Sequence, residues 1–272
     1  MEFAREKHRI YQKTFLFYAG ATVLFPEIDD SFFDPQSAGY NDREQRFCDF
    51  AVSTFGVDEE GSKKMFRRKL ATLDILGNCQ GRIWFGNKNS GVIMRGDGYT
   101  GFSQEILPRA FFIRSYLTRV LELDKITSLK VRKFNVWSVK TKQSELPDKN
   151  VVLDGFISNP LREKAGSGAG TATNEVEVPG LLNFAMDKAG SFKVQQGEGC
   201  DLGIGYGFLR DQSTDKSDEY LTMYLYLDAA QDMRETDYRS DAYERSLEDL
   251  NQLLFDAFHW SVSKNVLRVM RG

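Results

Sequence analysis

The hydrophobic pattern changes period several times along the chain. From Thr14 to Phe25 β-forming residues run almost without interruption until Pro26, which predicts a central strand. The polar, Pro- and Gly-containing stretch from Asp29 to Tyr40 reads as loop. After it, Phe47, Phe50, Ala51 and Phe55 recur at helical spacing, predicting a helix over 42–54 with Asp42 as its cap. Residues 67–77 fit strand and helix equally. Arg82–Gly86 and Gly91–Arg95 flank a polar turn at 87–90, and Asp97-Gly98 supplies a second turn before Tyr99–Phe102, the signature of an antiparallel meander.

Pro108 suits a helix's first turn, and Phe111, Phe112, Ile113, Tyr116, Leu117, Val120 and Leu121 are apolar over most of a helical circumference, predicting a buried helix. The segment from Leu129 to Val139 alternates with Lys130, Arg132, Lys133 and Lys140 as a half-exposed strand, Phe134 breaking the parity. Beyond a polar stretch with Pro147, Val151-Val152-Leu153 reads as a fresh strand. Residues 165–173 are small and Gly-rich and read as a flexible connection. Strands resume at 191–195, 201–209 and 220–227. The last helix is the clearest element: Asp241 and Glu244 form a capping box, and Tyr243, Leu247, Leu250, Leu254 and Phe258 make one stripe, expected to run to about Val266.

The expected fold is therefore α+β, with antiparallel sheets, packed helices and a long C-terminal helix. The expected division is an N-terminal α+β half, 1–146, and a β-rich half, 147–272, ending in that helix, the two being possible products of one duplication.

Composition adds exclusions. With 41% hydrophobic and 28% charged residues the 272-residue chain has the balance of a folded protein. Its net charge of −3, with Lys and Arg scattered, gives no footprint for a phosphate backbone, so nucleic acid is not the expected partner. The one basic stretch, Lys63, Lys64, Arg67, Arg68 and Lys69, reads as a solvated helix face, and Asp58-Glu59-Glu60 as a solvated turn. Cys48, Cys79 and Cys200 are odd in number and far apart, as in a reduced, cytoplasmic protein. The charged N-terminus lacks the apolar core of a secretion signal, and no segment has the apolar length of a membrane span.

Candidate chemistry is sparse. Two histidines, His8 and His259, give a metal site or a Ser-His-Asp triad almost nothing to build with, so neither a metal nor any other cofactor is expected. Gly166, Gly168 and Gly170 lack the Lys-Ser/Thr of a phosphate loop. Gly203, Gly205 and Gly207 alternate on a strand and leave one face smooth, suiting close helix packing or, secondly, a ligand ring. No catalytic residue stands out.

Three segments carry a resemblance: Ser128-Leu129-Lys130-Val131-Arg132-Lys133-Phe134-Asn135, Leu225-Tyr226-Leu227-Asp228, and Phe255 to Val262 in the closing helix. Together they resemble a sporadically distributed, functionally uncharacterised family of bacterial proteins of similar length, from which the polar loop at 29–40 departs. The resemblance transfers no catalytic residue. It implies a non-enzymatic, protein-binding or regulatory subunit of a bacterial accessory or defence system. The alternative is an enzyme or small-ligand binder with a pocket between the halves, lined by Arg132, Asn135 and Tyr206. A broad apolar patch rimmed with charge would favour a protein partner, and such a pocket a small ligand.

Overall fold

The structure, a computed structural model, describes residues 3–4, 15–67, 71–75, 78–123, 125–140, 148–165, 170–171, 184–211, 220–233 and 240–271. The strands are β1 (Leu16–Leu24), β2 (Ala71–Ile75), β3 (Gly81–Phe85), β4 (Asn89–Arg95), β5 (Ser128–Lys140), β6 (Gly170–Thr171), β7 (Phe184–Gln195), β8 (Cys200–Asp211) and β9 (Tyr220–Asp232). They pair in the order β2-β3-β4-β1-β5-β9-β8-β7-β6. The helices are α1 (Tyr40–Phe55), α2 (Glu59–Arg67), α3 (Leu107–Arg119), α4 (Lys149–Phe156), α5 (Asn159–Lys164), α6 (Ser240–Ser261) and α7 (Lys264–Arg271). The fold is α+β, with an antiparallel sheet and a long helix near the C-terminus. No described helix is long and apolar enough to cross a membrane.

Tertiary contacts group the chain into two units, each assembled from separated segments: unit one from 1–18, 132–229 and 251–272, unit two from 19–131 and 230–250. The division expected from sequence was a single cut between 146 and 147. The polar stretch that suggested it, 144–150, lies outside the described residues except for Asp148, Lys149 and Asn150, and Asp148 caps α4 by accepting from the Asn150 amide at 2.8 Å. That cap starts a helix where Val151-Val152-Leu153 suggested a strand. In α4 Val152 and Leu153 are buried and Val151 is exposed, a helical division that three apolar residues in a row cannot reveal.

In unit two β2, β3 and β4 form the expected meander, with Ala71 opposite Phe85 and Gly81 opposite Met94. Its third strand is β2, before the hairpin, because Tyr99–Phe102 continues instead into a π-helical turn at Phe102–Ile106 that leads into α3, with Pro108 in the first turn. Helix α1 begins at Tyr40 after a left-handed Gly39, and Asp42 sits inside its first turn, paired with Arg46. Asp58 accepts from the Gly61 amide at 2.7 Å, so 58–60 start α2. There Glu59 and Glu60 pair with Lys63 and Lys64 four residues on, which leaves the described part of the basic stretch as a solvated helix face. The core is aromatic: Phe50 stacks on Phe112 at 4.7 Å and Phe85 meets Tyr116 at 4.3 Å. Tyr243 donates from α6 to the Ala110 carbonyl of α3 at 3.0 Å.

In unit one helices cover one face of the sheet. Trp260 of α6 meets Phe192 of β7 at 5.6 Å, Lys149 of α4 lies 5.2 Å from the Phe208 ring of β8, and Phe156 meets Trp137 of β5 at 6.0 Å. Leu202, Ile204, Tyr206, Met223, Leu225 and Leu227 are buried on this side. The expected stripe on α6 is buried from Tyr243 to Phe258, but the helix stops at Ser261. Val262 bridges to Ile157, and the Ser263 hydroxyl then caps α7 at the Val266 amide. Of the Gly-rich stretch at 165–173, only Ala165, Gly170 and Thr171 are among the described residues.

Candidate functional site

Successive side chains on a strand point to opposite faces, so the residues alternating with the buried row of β9 emerge on the other side of the unit-one sheet. There Thr222, Tyr224, Tyr226 and Asp228 stand beside Arg132, Phe134 and Ser138 of β5. Ser138 and Thr222 share a hydrogen bond at 3.0 Å, and Phe134 stacks on Tyr224 at 5.5 Å with planes 8° apart. Tyr18 of β1 extends the stack, its ring 5.3 Å from Phe134 and also 8° from parallel. All three rings are only 1–3% exposed. Burial, aided by Asp187, pushes the Tyr224 hydroxyl up to about 12.

At the end of the stack lies a polar group of four. Arg132 Nε and Asp228 Oδ1 approach to 3.4 Å, and both side chains are about a quarter exposed, 28% and 27%. Nε and Oδ1 themselves are fully buried and complete no hydrogen bond, as is true of the Tyr18 hydroxyl. The exposed part of the pair therefore lies in its outer atoms. Burial, then the neighbouring Tyr226, raise the Tyr18 hydroxyl far above its ordinary range, Arg132 pulling it back only in part. Burial and then Asp228 raise Tyr226 in the same way. Both phenols stay protonated and able to donate. Burial alone would weaken the Arg132 proton affinity, but Tyr226, Asp228 and Tyr18 more than offset it, and the guanidinium stays charged.

On the far side of β9 this face continues over the alternating glycines of β8. A Cβ built on Gly203 would lie 4.0 Å from that of Asp228, which sets Gly203, Gly205 and Gly207 on the face of the tyrosines. Close helix packing was expected against them. Instead a Cβ at Gly207 would strike the Asp187 carbonyl of the neighbouring strand β7, where the pairing shifts between Lys188 and Gly190. At Gly205 it would meet no described atom within 4 Å. Other glycines here serve differently, Gly91 lying under the Trp84 ring and Gly190 under that of Tyr206.

The three residues expected to line a pocket are thus split. Arg132 belongs to the tyrosine face. Asn135, three positions on, points to the helix side, where it is buried and donates from Nδ2 to the Leu225 carbonyl at 3.4 Å. Tyr206, also on the helix side, covers Gly190. Sequence reading missed Asp228, Tyr226 and Tyr18, although the alternation of Tyr224 and Tyr226 against Leu225 and Leu227 was the available signal. Lys133, also on β5 and partly exposed, has its ammonium lowered to about 8 by burial.

Among the described residues no three or more His, Cys, Asp and Glu side chains converge to hold a metal ion. His259 Nδ1 lies 2.9 Å from the Phe255 carbonyl on its own helix. The three cysteines are unpaired, Cys48 and Cys79 being buried with thiols pushed up by burial, away from the thiolate that nucleophilic chemistry needs. No protein family, curated protein or solved structure matches this chain.

Proposed function

We propose that this chain is a non-enzymatic binding protein, a regulatory or partner-binding subunit, whose contact centre is the tyrosine face of unit one. The observation that carries this is the partial exposure of Tyr226, Arg132 and Asp228 in one row, where the opposite face of the same strands is buried under helices. Tyr and Arg are the residues that dominate binding energy when partly exposed side by side, because each presents a large rigid surface with a directed polar end. The remaining described surface offers little competition: its exposed large apolar residues are Val52, Val151 and Val269, on three different helices. Membership of a bacterial accessory or defence system is the part of this reading that rests on the sequence resemblance.

The test is affinity capture from the native host, comparing the wild type with the double variant Tyr226→Ala/Lys193→Ala, which alters the tyrosine face, and with Val151→Ser, which alters a helix. A partner kept by Val151→Ser and lost by the double variant is the expected result. Identical partner sets for all three proteins would remove the face from the proposal.

A second reading, a small-ligand binder, is favoured by one specific observation: the buried hydroxyl of Tyr18 has no hydrogen-bond partner among the described residues and lies close to the Arg132–Asp228 pair. A buried polar group left unmatched costs about 1–3 kcal/mol, a cost that a bound polar molecule would offset.

A further inference from the structure

Resting on the small-ligand reading, we propose that the tyrosine face binds a purine base, free or as a nucleoside, lying flat over Gly203 and Gly205 with its polar edge toward Arg132 and Asp228. The fold itself shows what covers a glycine backbone in its strands. Trp84 lies on Gly91 and Tyr206 lies on Gly190, each ring filling the volume that a Cβ would take. Gly205 offers the same smooth backbone, and no described side chain lies over it. A ring supplied by a ligand would complete the pattern. Gly203 and Gly205 are alternate residues, so the smooth strip is roughly 7 Å long, which suits a fused bicycle better than a single ring.

The edge chemistry narrows the class. With Nε and Oδ1 turned inward, Arg132 offers its terminal N–H donors next to the Asp228 carboxylate, which the Tyr226 hydroxyl also engages. A donor beside an acceptor is complementary to the acceptor-beside-donor edges of purines, O6 with N1–H in guanine and N7 or N1 with the amino group in adenine. Tyr18, held protonated by burial and without a hydrogen-bond partner among the described residues, adds a donor close to the pair. Lys193 is directly opposite Gly203 on β7 and exposed on this face, placed to meet a 5′-phosphate. Recognition is led by the base, which fits a chain without a phosphate loop.

The experiment is isothermal titration of the full chain with guanosine, adenosine, their 5′-monophosphates, uridine and glucose, repeated on Gly205→Val and Asp228→Asn. In Gly205→Val the added Cβ meets no described atom within 4 Å, and the side chain occupies the ring's place. The expected result is saturable binding of a purine nucleoside, at least tenfold weaker in both variants, with uridine and glucose weaker still. The monophosphate should bind more tightly than its nucleoside, and Lys193→Ala should erase that difference. If uridine or glucose binds instead, and Gly205→Val abolishes it, the purine assignment is overturned and the small-ligand site stands. If none of the six compounds binds, the purine proposal falls. A thermal-shift screen of mixed metabolites then decides the wider reading, which also falls if no compound raises the wild-type melting temperature more than that of Gly205→Val.

Discussion

At the residue scale, glycines of the same sequence pattern do different work. Gly91 is filled from above by Trp84 and hemmed in by the Ala21 carbonyl, so Gly91→Ala forces a packed ring to move and should cost about 1–3 kcal/mol. Gly205→Ala adds a methyl group to open space and removes glycine's backbone entropy from the unfolded chain. It should leave stability unchanged or raise it by about 0.5–1 kcal/mol. Urea denaturation of both variants checks the pair, and an equal loss in both would refute the distinction. Lys133 supplies a second test. Its ammonium is lowered to about 8, below the roughly 10.4 of an unfolded lysine, so between these values the unfolded chain binds more protons and this group adds stability as pH rises. Lys133→Met should therefore be the more stable protein at pH 7, by up to about 3 kcal/mol, and the advantage should fade above pH 8 and be gone near 10.5. A pH-independent difference would mean packing, not charge, is responsible. Sequence displayed the glycine alternation but not what lies above each glycine, since those atoms come from β7 and β9. It displayed Arg132 but not Asp228, its partner far along the chain. The separation of Arg132 from Asn135 was legible, because positions three apart on a strand face opposite ways.

At the element scale, the long periodic segments were readable and the short apolar ones were not. β1, α1, α3, β5, β8, β9 and α6 lie where the hydrophobic rhythm predicts, and β7 extends the strand expected at 191–195 back to Phe184. Val151–Leu153 is too short to show a period, and the Asp148 cap outweighs the preference of two valines for strand. The halt of α6 at Ser261 is equally local. Ser158 accepts from the Leu161 amide to cap α5 and donates to the Trp260 carbonyl at 2.6 Å near the end of α6. Ser158→Ala removes both bonds and should cost about 1–2 kcal/mol. Ser158→Thr should retain most of that, and equal losses would show that the hydroxyl is not the cause. Leu254, wholly buried on the α6 stripe, has no such latitude. Leu254→Asp places a carboxylate in apolar surroundings and should leave little soluble folded protein, as read by gel filtration and circular dichroism.

At the scale of the whole molecule, the fold class could be read from sequence because it depends only on which elements exist and in what order. The division into units could not, because each unit is closed by segments from distant parts of the chain. Unit one needs β5, beside β9 in the strand order, so a fragment of residues 147–272 lacks a central strand. It should show no cooperative melting transition, and a sharp transition in the isolated fragment would contradict the interleaving. Interleaving also governs when the protein can fold on the ribosome. Unit two is closed by 230–250 and unit one by 251–272, so neither is complete until these closing segments have been translated. The strands made first wait, with their apolar faces uncovered, for a helix made last. A nascent chain in that state is exposed to aggregation and to chaperones until those segments emerge. Slowing translation should therefore do little to help this protein fold, unlike a chain whose domains follow one another in order.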